Sequence, residues 1–339
     1  MTTDAWQVLL RRWTFDPQIM IVVVGVGVLY WLGTTATLAA LPKNHRLGPR
    51  AWKVALFYVA LLLVVIALES PLDYFSQQLM WAHMIQHLIL IMLVPELLLL
   101  GDPALPLLRG LPIAARRRAL GPVLGWRWTH ILGAAMRRVS RPVPAFCLFV
   151  GTLWAWHWPA LYNITLRDQG VHDLEHLTFL LTAILFWWQV IDQTQFRCRL
   201  GYIHRAVYVF LGAVGNHLLA VVLAFVTIPL YAYRHLAVRP GGISALTDQQ
   251  FAGGIMWVPG MFLYGAAFSI FLYKWLQSEK LAVGQSAVSA PGPRQKRLQP
   301  VVTRPVTPIA PRERDIVSSL NAGVGPAMWH DVSTEGDAL

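Results

Sequence analysis

The chain has 339 residues, of which 56% are hydrophobic and only 13% are charged, and its mean hydropathy is +0.49. Soluble domains carry about 25% charged residues, so this composition excludes the soluble classes and indicates a membrane protein. The net charge of +11 could suggest nucleic-acid binding, but the basic residues are grouped by loop in a way that membrane topology explains more simply.

Seven apolar windows follow one another along the chain. Each is long enough to cross a hydrocarbon core of about 30 Å, which takes about 20 helical residues. The windows lack the two-residue alternation of a barrel strand, so the sequence predicts an all-α membrane protein, a bundle of seven transmembrane helices. The windows are 18–42, 51–69, 77–100, 144–162, 171–191, 204–228 and 250–277.

The predicted organisation has three parts. Residues 1–17 form an N-terminal segment, and residues 18–277 form the seven-helix transmembrane domain, which includes a basic cytoplasmic loop at 101–143. Residues 278–339 are rich in Pro, Gly, Ser, Gln and Arg, a composition that predicts a disordered cytoplasmic tail.

Basic residues are concentrated in alternate loops. The loop at 101–143 contains eight arginines, whereas the connection at 69–77 contains neither Lys nor Arg. By the positive-inside rule the basic loops are cytoplasmic, so the amino terminus is predicted outside and the carboxyl terminus in the cytoplasm. Arg11 and Arg12 oppose this orientation, but reversing the chain would export the eight-arginine loop.

Six histidines on four predicted helices lie in the same half of the membrane, the outer half, or at its boundary. An imidazole is costly in hydrocarbon unless a partner binds it. Four of the six form two pairs spaced four residues apart, which places each pair on one helical face. A shared metal ion explains this grouping, and the predicted metal ligands are His83, His87, His157, His172, His176 and His217.

Two methionines extend the face of the first histidine pair. Met80, His83, Met84 and His87 form a stripe of thioether and imidazole groups. This combination suits copper, especially Cu(I), whereas hard cations prefer oxygen ligands. A methionine taken alone is more often a packing residue, because its flexible side chain fills gaps, so the copper prediction depends on the coincidence across four helices.

Acidic side chains accompany the predicted ligands. Asp173 and Glu175 lie beside the second histidine pair and are candidates to orient its imidazoles by accepting their remaining N–H protons. Glu96 follows Pro95, where the proline is expected to kink the third helix. No specific role follows for Glu96, and pairing with a basic residue is the simplest expectation.

Four motifs occur in order along the chain: HMIQHLILIMLVPELLLLGDP, WHWPALYN, HDLEHLTFLLTAILFWW and LTDQQFAGGIMWVPG. Together they resemble the CtaG family of cytochrome c oxidase assembly factors, over roughly residues 20–277. The resemblance points to the histidines of the first three motifs and to Asp248 and Gln249 in the fourth as residues of the site. Glu96 departs from the apolar residue expected after the proline in that family.

The resemblance implies a multi-pass protein of the bacterial inner membrane that helps to form the copper centres of haem-copper oxidases. It implies no turnover reaction, so the chain is predicted not to be an enzyme. The expected partners are oxidase subunits, a periplasmic copper donor and membrane lipids. Nucleic acid is not an expected partner. On this prediction, the histidines bind or relay copper near the extracytoplasmic face.

Three alternative functions remain open at this point. HDLEH matches the H-x-x-E-H motif of inverted zinc proteases, in which His172 and His176 would bind zinc and Glu175 would activate water. The paired histidines could instead ligate haem between transmembrane helices. A purely structural scaffold for oxidase subunits would use the polar cluster for packing alone.

Overall fold

The computed structural model describes residues 11–39, 51–115, 127–194, 198–235 and 242–289. These residues form helices and connections, and no strand occurs among them. Most of the predicted N-terminal segment and residues 290–339 of the predicted tail lie outside the described residues. The last helix ends at Ser289, so the first residues of the predicted tail continue that helix.

The helices are named here in chain order. They are α1 Pro17–Ala39, α2 Ala51–Glu69, α3 Pro71–Ser76, α4 Met80–Leu100, α5 Ala104–Gly110, α6 Arg127–Val139, α7 Pro142–Trp156, α8 Pro159–Thr165, α9 Gln169–Trp188, α10 Tyr202–Phe225 and α11 Ala245–Ser289. A short 3₁₀ turn at Ala232–His235 follows α10.

Each of the seven apolar windows contains a helix, and five of these helices are long and apolar enough to cross a membrane: α1, α2, α4, α10 and the part of α11 that ends at Leu281. The chain is therefore a multi-pass helical membrane protein. Of the other two, α7 has 15 residues, and α9 has 20 residues but carries Asp173 and Glu175.

The window at 144–162 is divided because a proline interrupts it. α7 ends at Trp156, and α8 begins at Pro159, which occupies the first helical position. The residue before a proline is driven out of the helical region, and Trp158 is extended, with φ −68° and ψ 128°. His157 consequently lies in a break between two helices.

α4 is the central helix of the bundle, since 61% of its apolar window is buried against 22% for α1 and α2. It accommodates Pro95 without a break. Proline has no backbone N–H to bond the carbonyl oxygen four residues earlier, that of Ile91. A π-helical turn forms at Ile89–Leu93, and the indole Nε1 of Trp187 on α9 donates to the Ile91 oxygen at 3.3 Å.

One end of the bundle is held by ion pairs. Lys53 Nζ lies 2.9 Å from Asp102 Oδ2, and Arg205 donates two hydrogen bonds to Asp192, at 2.6 and 3.0 Å. Burial by itself would raise the pKa of Asp192, but the hydrogen bonds from Arg205 and from the Cys198 amide outweigh it and hold the pKa below its ordinary value.

Glu96 lies on α4 between these ion pairs and the opposite end of the bundle. It is half-buried, and its Oε1 has no hydrogen-bond partner. Among the described residues, no basic side chain forms an ion pair with it, which differs from the simplest expectation for this position.

Candidate metal centre

Five histidines and one glutamate meet at the end of the bundle opposite the ion pairs. The first two turns of α4, the break after α7 and the first two turns of α9 supply them. All six side chains belong to residues that are at most 5% exposed: His83, His87, His157, His172, Glu175 and His176.

The shortest contact in this cluster joins the histidine pair on α4. The Nε2 atoms of His83 and His87 are 2.6 Å apart, as expected for residues one helical turn apart on the same face. The Glu175 carboxylate faces both rings, with one oxygen 3.6 Å from His83 Nε2 and the other 3.6 Å from His87 Nε2. Glu175 was predicted to stand behind the ligands, but it lies among them.

The other histidines surround this pair. The ring centroids of His172 and His176 are 4.3 Å apart and lie 5.1 and 5.7 Å from the His83 ring. The His87 ring centroid lies 5.3 Å from that of His176 and 5.9 Å from that of His157. Three imidazoles therefore surround the closely spaced pair on α4.

Two overlapping donor sets have the compactness of a metal site. One atom from each of His83, His172 and His176 lies within 4.8 Å of the others, and the same holds for His83, His87 and Glu175. His83 belongs to both sets. An ion could pass between the sets by exchanging one ligand at a time, because they share an imidazole.

Several donor atoms in the cluster are buried without a hydrogen-bond partner. They include His87 Nδ1, His157 Nε2, His176 Nε2 and both carboxylate oxygens of Glu175. An unpaired buried polar atom costs about 1–3 kcal/mol, and more when charged, so native proteins avoid them. A bound cation would satisfy these atoms together, and imidazole with carboxylate is a donor set that fits copper or zinc.

A hydrogen bond fixes the state of His157. Its Nδ1 lies 2.8 Å from the carbonyl oxygen of Leu153, and against a carbonyl oxygen a ring nitrogen can only donate. The Nε2 of the neutral ring therefore carries a free lone pair, the form of histidine that binds metals.

Three tyrosines form a layer beside the cluster and were not predicted from the sequence. Tyr233 donates to the Ser76 carbonyl at 2.8 Å, and its hydroxyl is 3.5 Å from His83 Nδ1 and 3.2 Å from the Tyr162 hydroxyl. Tyr231 donates to the His157 carbonyl at 2.8 Å. The only sequence signal for this layer is the presence of tyrosines in the connections next to the histidine helices.

The predicted supporting residues have different positions. Asp248 is fully buried, and its two oxygens accept the backbone amides of Met80 and Trp81 at 3.0 Å each. Gln249 accepts the Leu230 amide at 2.7 Å and so holds the connection before α11. These contacts are made with backbone groups, so the two residues position helices.

Asp173 does not face the cluster. It is exposed and accepts a hydrogen bond from Gln169 at 2.9 Å, and the same Gln169 amide is 3.4 Å from His172 Nδ1. Its contact with the imidazoles is therefore indirect. The periodicity explains this, because Asp173 is one residue from His172 and points about 100° away around the helix.

Among the described residues, the His217 ring has no ring contact with the five clustered histidines, and it contacts Tyr264, with centroids 6.3 Å apart. Met80 and Met84 are both buried, at 1% and 0% exposure. Met84 lines a small cavity of about 20 Å³ next to the cluster. Three further residues that line this cavity carry no sequence signal of a site: Met92, Asn216 and Met256.

These features define a helical membrane protein with a buried histidine–carboxylate centre at one end of its bundle. The chain belongs to the cytochrome c oxidase caa3 assembly factor family (Caa3_CtaG), which it matches over residues 28–278. This match confirms the resemblance found from the four motifs.

The chain is also similar to proteins of three mycobacteria whose names describe them as uncharacterized. It is 26% identical over 250 residues to those of Mycobacterium bovis and Mycobacterium tuberculosis, covering 74% of this chain and 37% of each relative. The Mycobacterium leprae protein is 26% identical over 72% of this chain and 36% of its own. The chain thus spans little more than a third of these relatives, and no solved structure matches it.

Proposed function

We propose that this protein assists the assembly of a haem-copper oxidase by binding copper at the histidine–carboxylate centre and passing it to an oxidase subunit. The observation that carries the proposal is the set of buried donor atoms without partners: the ring nitrogens of His87, His157 and His176 and both oxygens of Glu175. Family membership supports the assembly role.

Cu(I) is the proposed ion. Neutral imidazoles bind it in low coordination numbers, and the buried site favours a singly charged ion beside a single carboxylate. The two donor sets that share His83 give the ion two neighbouring positions without a free intermediate.

We propose seven transmembrane helices, with α7 and α9 completing the five spans that satisfy length and composition. The positive-inside rule then puts the centre at the extracytoplasmic end, the amino terminus outside and the carboxyl terminus in the cytoplasm. A green fluorescent protein fused after Leu339 should fluoresce in cells, and a fusion that is exported and dark would reverse this orientation.

The copper proposal is tested on protein purified in detergent. The wild type, loaded with Cu(I) under reductant and desalted, should retain copper, and a variant with His83, His87, His172 and His176 all replaced by Ala should not. His204→Ala is the matched control, because His204 is exposed and lies at the ion-paired end of α10. Equal and negligible copper in all three proteins would refute the proposal.

The zinc-protease alternative is opposed by access. His172, Glu175 and His176 are at most 5% exposed, and a peptide substrate needs an open cleft beside the zinc-bound water. Haem ligation between helices is opposed by packing, since the rings of α4 and α9 contact each other directly, with centroids 5.1 Å apart for His83 and His172, and leave no slot for a macrocycle between them.

A scaffold without copper chemistry makes a different prediction in cells. If the polar cluster served packing alone, the quadruple histidine variant that still inserts in the membrane would support normal copper content in the oxidase. We expect the oxidase copper content to fall in that variant, while the amount of oxidase polypeptide in the membrane is maintained.

A further inference from the structure

The cavity next to the histidine cluster is lined by unusually soft groups. Three thioethers, from Met84, Met92 and Met256, and two imidazoles, from His87 and His157, surround about 20 Å³ of space. The whole chain has nine methionines, so a third of them line this one cavity. All three are buried, at 0, 4 and 7% exposure.

Packing alone is a reasonable explanation for one buried methionine. It does not explain the nearby imidazole of His217. His217 Nδ1 lies 2.6 Å from the carbonyl oxygen of Ala213 and must donate to it. Its Nε2 therefore presents a lone pair, and this atom is buried with no hydrogen-bond partner. The same arrangement fixes His157, which lines the cavity.

Gly260 leaves room between these groups. A Cβ placed at this position would lie 4.0 Å from His217 Nε2, 4.0 Å from the Met92 sulfur and 3.0 Å from Asn216 Nδ2. The imidazole and the thioether thus converge on one point from two helices, α10 and α4. A methionine side chain has three rotatable bonds, so small rotations can bring its sulfur to an ion held by His217.

We propose that the space beside Gly260, next to this cavity, is a second Cu(I) subsite, in which His217 Nε2 and the Met92 thioether bind an ion supplied through His87 and His157. This inference rests on the proposed copper function of the histidine centre. It adds a second binding position for the ion, deeper in the bundle. Transfer is a ligand exchange of an intact Cu(I) ion, with no change of oxidation state. A thioether in the ligand set also selects Cu(I) over Zn²⁺.

The test measures how many Cu(I) ions each purified chain binds in competition with a chromophoric Cu(I) chelator. Wild type should bind two, and Met92→Leu combined with His217→Phe should bind one. Replacing His83 and His87 by Ala should remove the ion of the histidine centre. Met261→Leu is the matched control, since Met261 is next to Gly260 in sequence but 50% exposed.

A second readout identifies the sulfur directly. X-ray absorption at the copper edge of selenomethionine-labelled wild type should show a copper–selenium shell, and Met92→Leu should lose it. Gly260→Ala should also lose the second ion by filling its space, whereas Gly265→Ala, where a Cβ meets nothing within 4 Å, should keep it. Retention of the first ion by these variants shows that they are folded.

The outcomes separate the two proposals. One ion per wild-type chain, lost with His83 and His87 and unaffected at Met92 and His217, overturns the second subsite and leaves the histidine centre standing. Two ions with no selenium scattering also overturn the thioether assignment. No copper in any protein refutes both proposals.

Discussion

Asp248 accepts the backbone amide of Met80 at 3.0 Å, across 168 positions of sequence, and so caps the amino end of the central helix from the last one. A helix normally obtains its cap from the residue that precedes it, but Leu79 makes no side-chain cap hydrogen bond. The cap therefore joins α11 to the first turn of the helix that carries His83 and His87.

Asp248→Ala should destabilise the protein and loosen the histidine centre together. Two buried amides lose their acceptor, which costs about 1–2 kcal/mol or more. Thermal unfolding in detergent should show a lower Tm, and the copper dissociation constant should rise. Ser70→Ala removes an ordinary cap from α3 and is the control. Unchanged copper affinity in Asp248→Ala would show that the cap does not position the centre.

Glu175→Gln should have opposite effects without and with copper. In the metal-free protein, two partnerless carboxylate oxygens are costly, so the neutral amide should raise Tm. With Cu(I) bound, the lost negative charge should lower Tm relative to wild type. Asp173→Asn, an exposed position on the same helix, should change neither value. A Tm change of the same sign in both states would contradict a role of Glu175 beside the metal.

The ion pair of Asp192 with Arg205 should make stability depend on pH. A carboxyl whose folded pKa is depressed contributes stability above its unfolded pKa, about 3.9, and that contribution is lost as pH falls through the folded value. Asp192→Asn should therefore lower Tm at pH 7. The free energy of unfolding should fall by about 1–2 kcal/mol, less than for a fully buried pair, because the Asp192 side chain is 43% exposed and solvent screens the interaction.

At pH 3, below the unfolded pKa, the difference in Tm between wild type and Asp192→Asn should be smaller than at pH 7, because the unfolded chain then takes up a proton at Asp192. Glu279→Gln, an exposed substitution on α11, should match wild type at both pH values. A difference in Tm for Asp192→Asn that persists undiminished at pH 3 would assign the effect to packing.

Gly33 and Gly110 let α1 and α5 approach with their backbones in contact. A Cβ at Gly33 would overlap the carbonyl oxygen of Pro106, and one at Gly110 would overlap that of Leu29. Gly33→Ala should cost about 1–3 kcal/mol or more, because backbone atoms cannot move aside as a side chain can. Limited proteolysis and Tm should both report the loss.

The control lies on the same helix. A Cβ at Gly25 meets nothing within 4 Å, so Gly25→Ala should be neutral or slightly stabilising through helix propensity. Equal Tm values for the two variants would mean that α5 does not dock on α1 as described.

Residue spacing predicted much of the candidate site. The four-residue intervals between His83 and His87 and between His172 and His176 place each pair on one face, and the structure brings both pairs to a common point with His157. Their ligation of a metal stays a prediction. Family motifs pointed to Asp248, but no local pattern indicates that its carboxylate caps a helix 168 residues away.

Other features depend on tertiary structure and were beyond local reasoning. The direction of the predicted helix is enough to predict how deep His217 lies in the membrane. Its distance from the histidine cluster, however, depends on how α10 packs against α11. Met92 lies in an apolar run, two positions before Val94. Nothing in the local sequence distinguishes it there from a packing residue. The division of the window at 144–162 follows from Pro159, which sequence reasoning treated as part of a single helix.

The π turn at Ile89–Leu93 divides α4 into two halves, and the side chains of the second half are rotated about the helix axis relative to those of the first. One additional residue in a turn advances the following helix by about 100° relative to an uninterrupted α-helix. Side-chain directions around the helix axis that are counted forward from His83 at about 100° per residue are consequently wrong for residues after Leu88. The half with the imidazoles and the half with Glu96 can thus each face the bundle interior, and a homologue that lost one residue here would turn Glu96 to another neighbour while leaving the histidines in place.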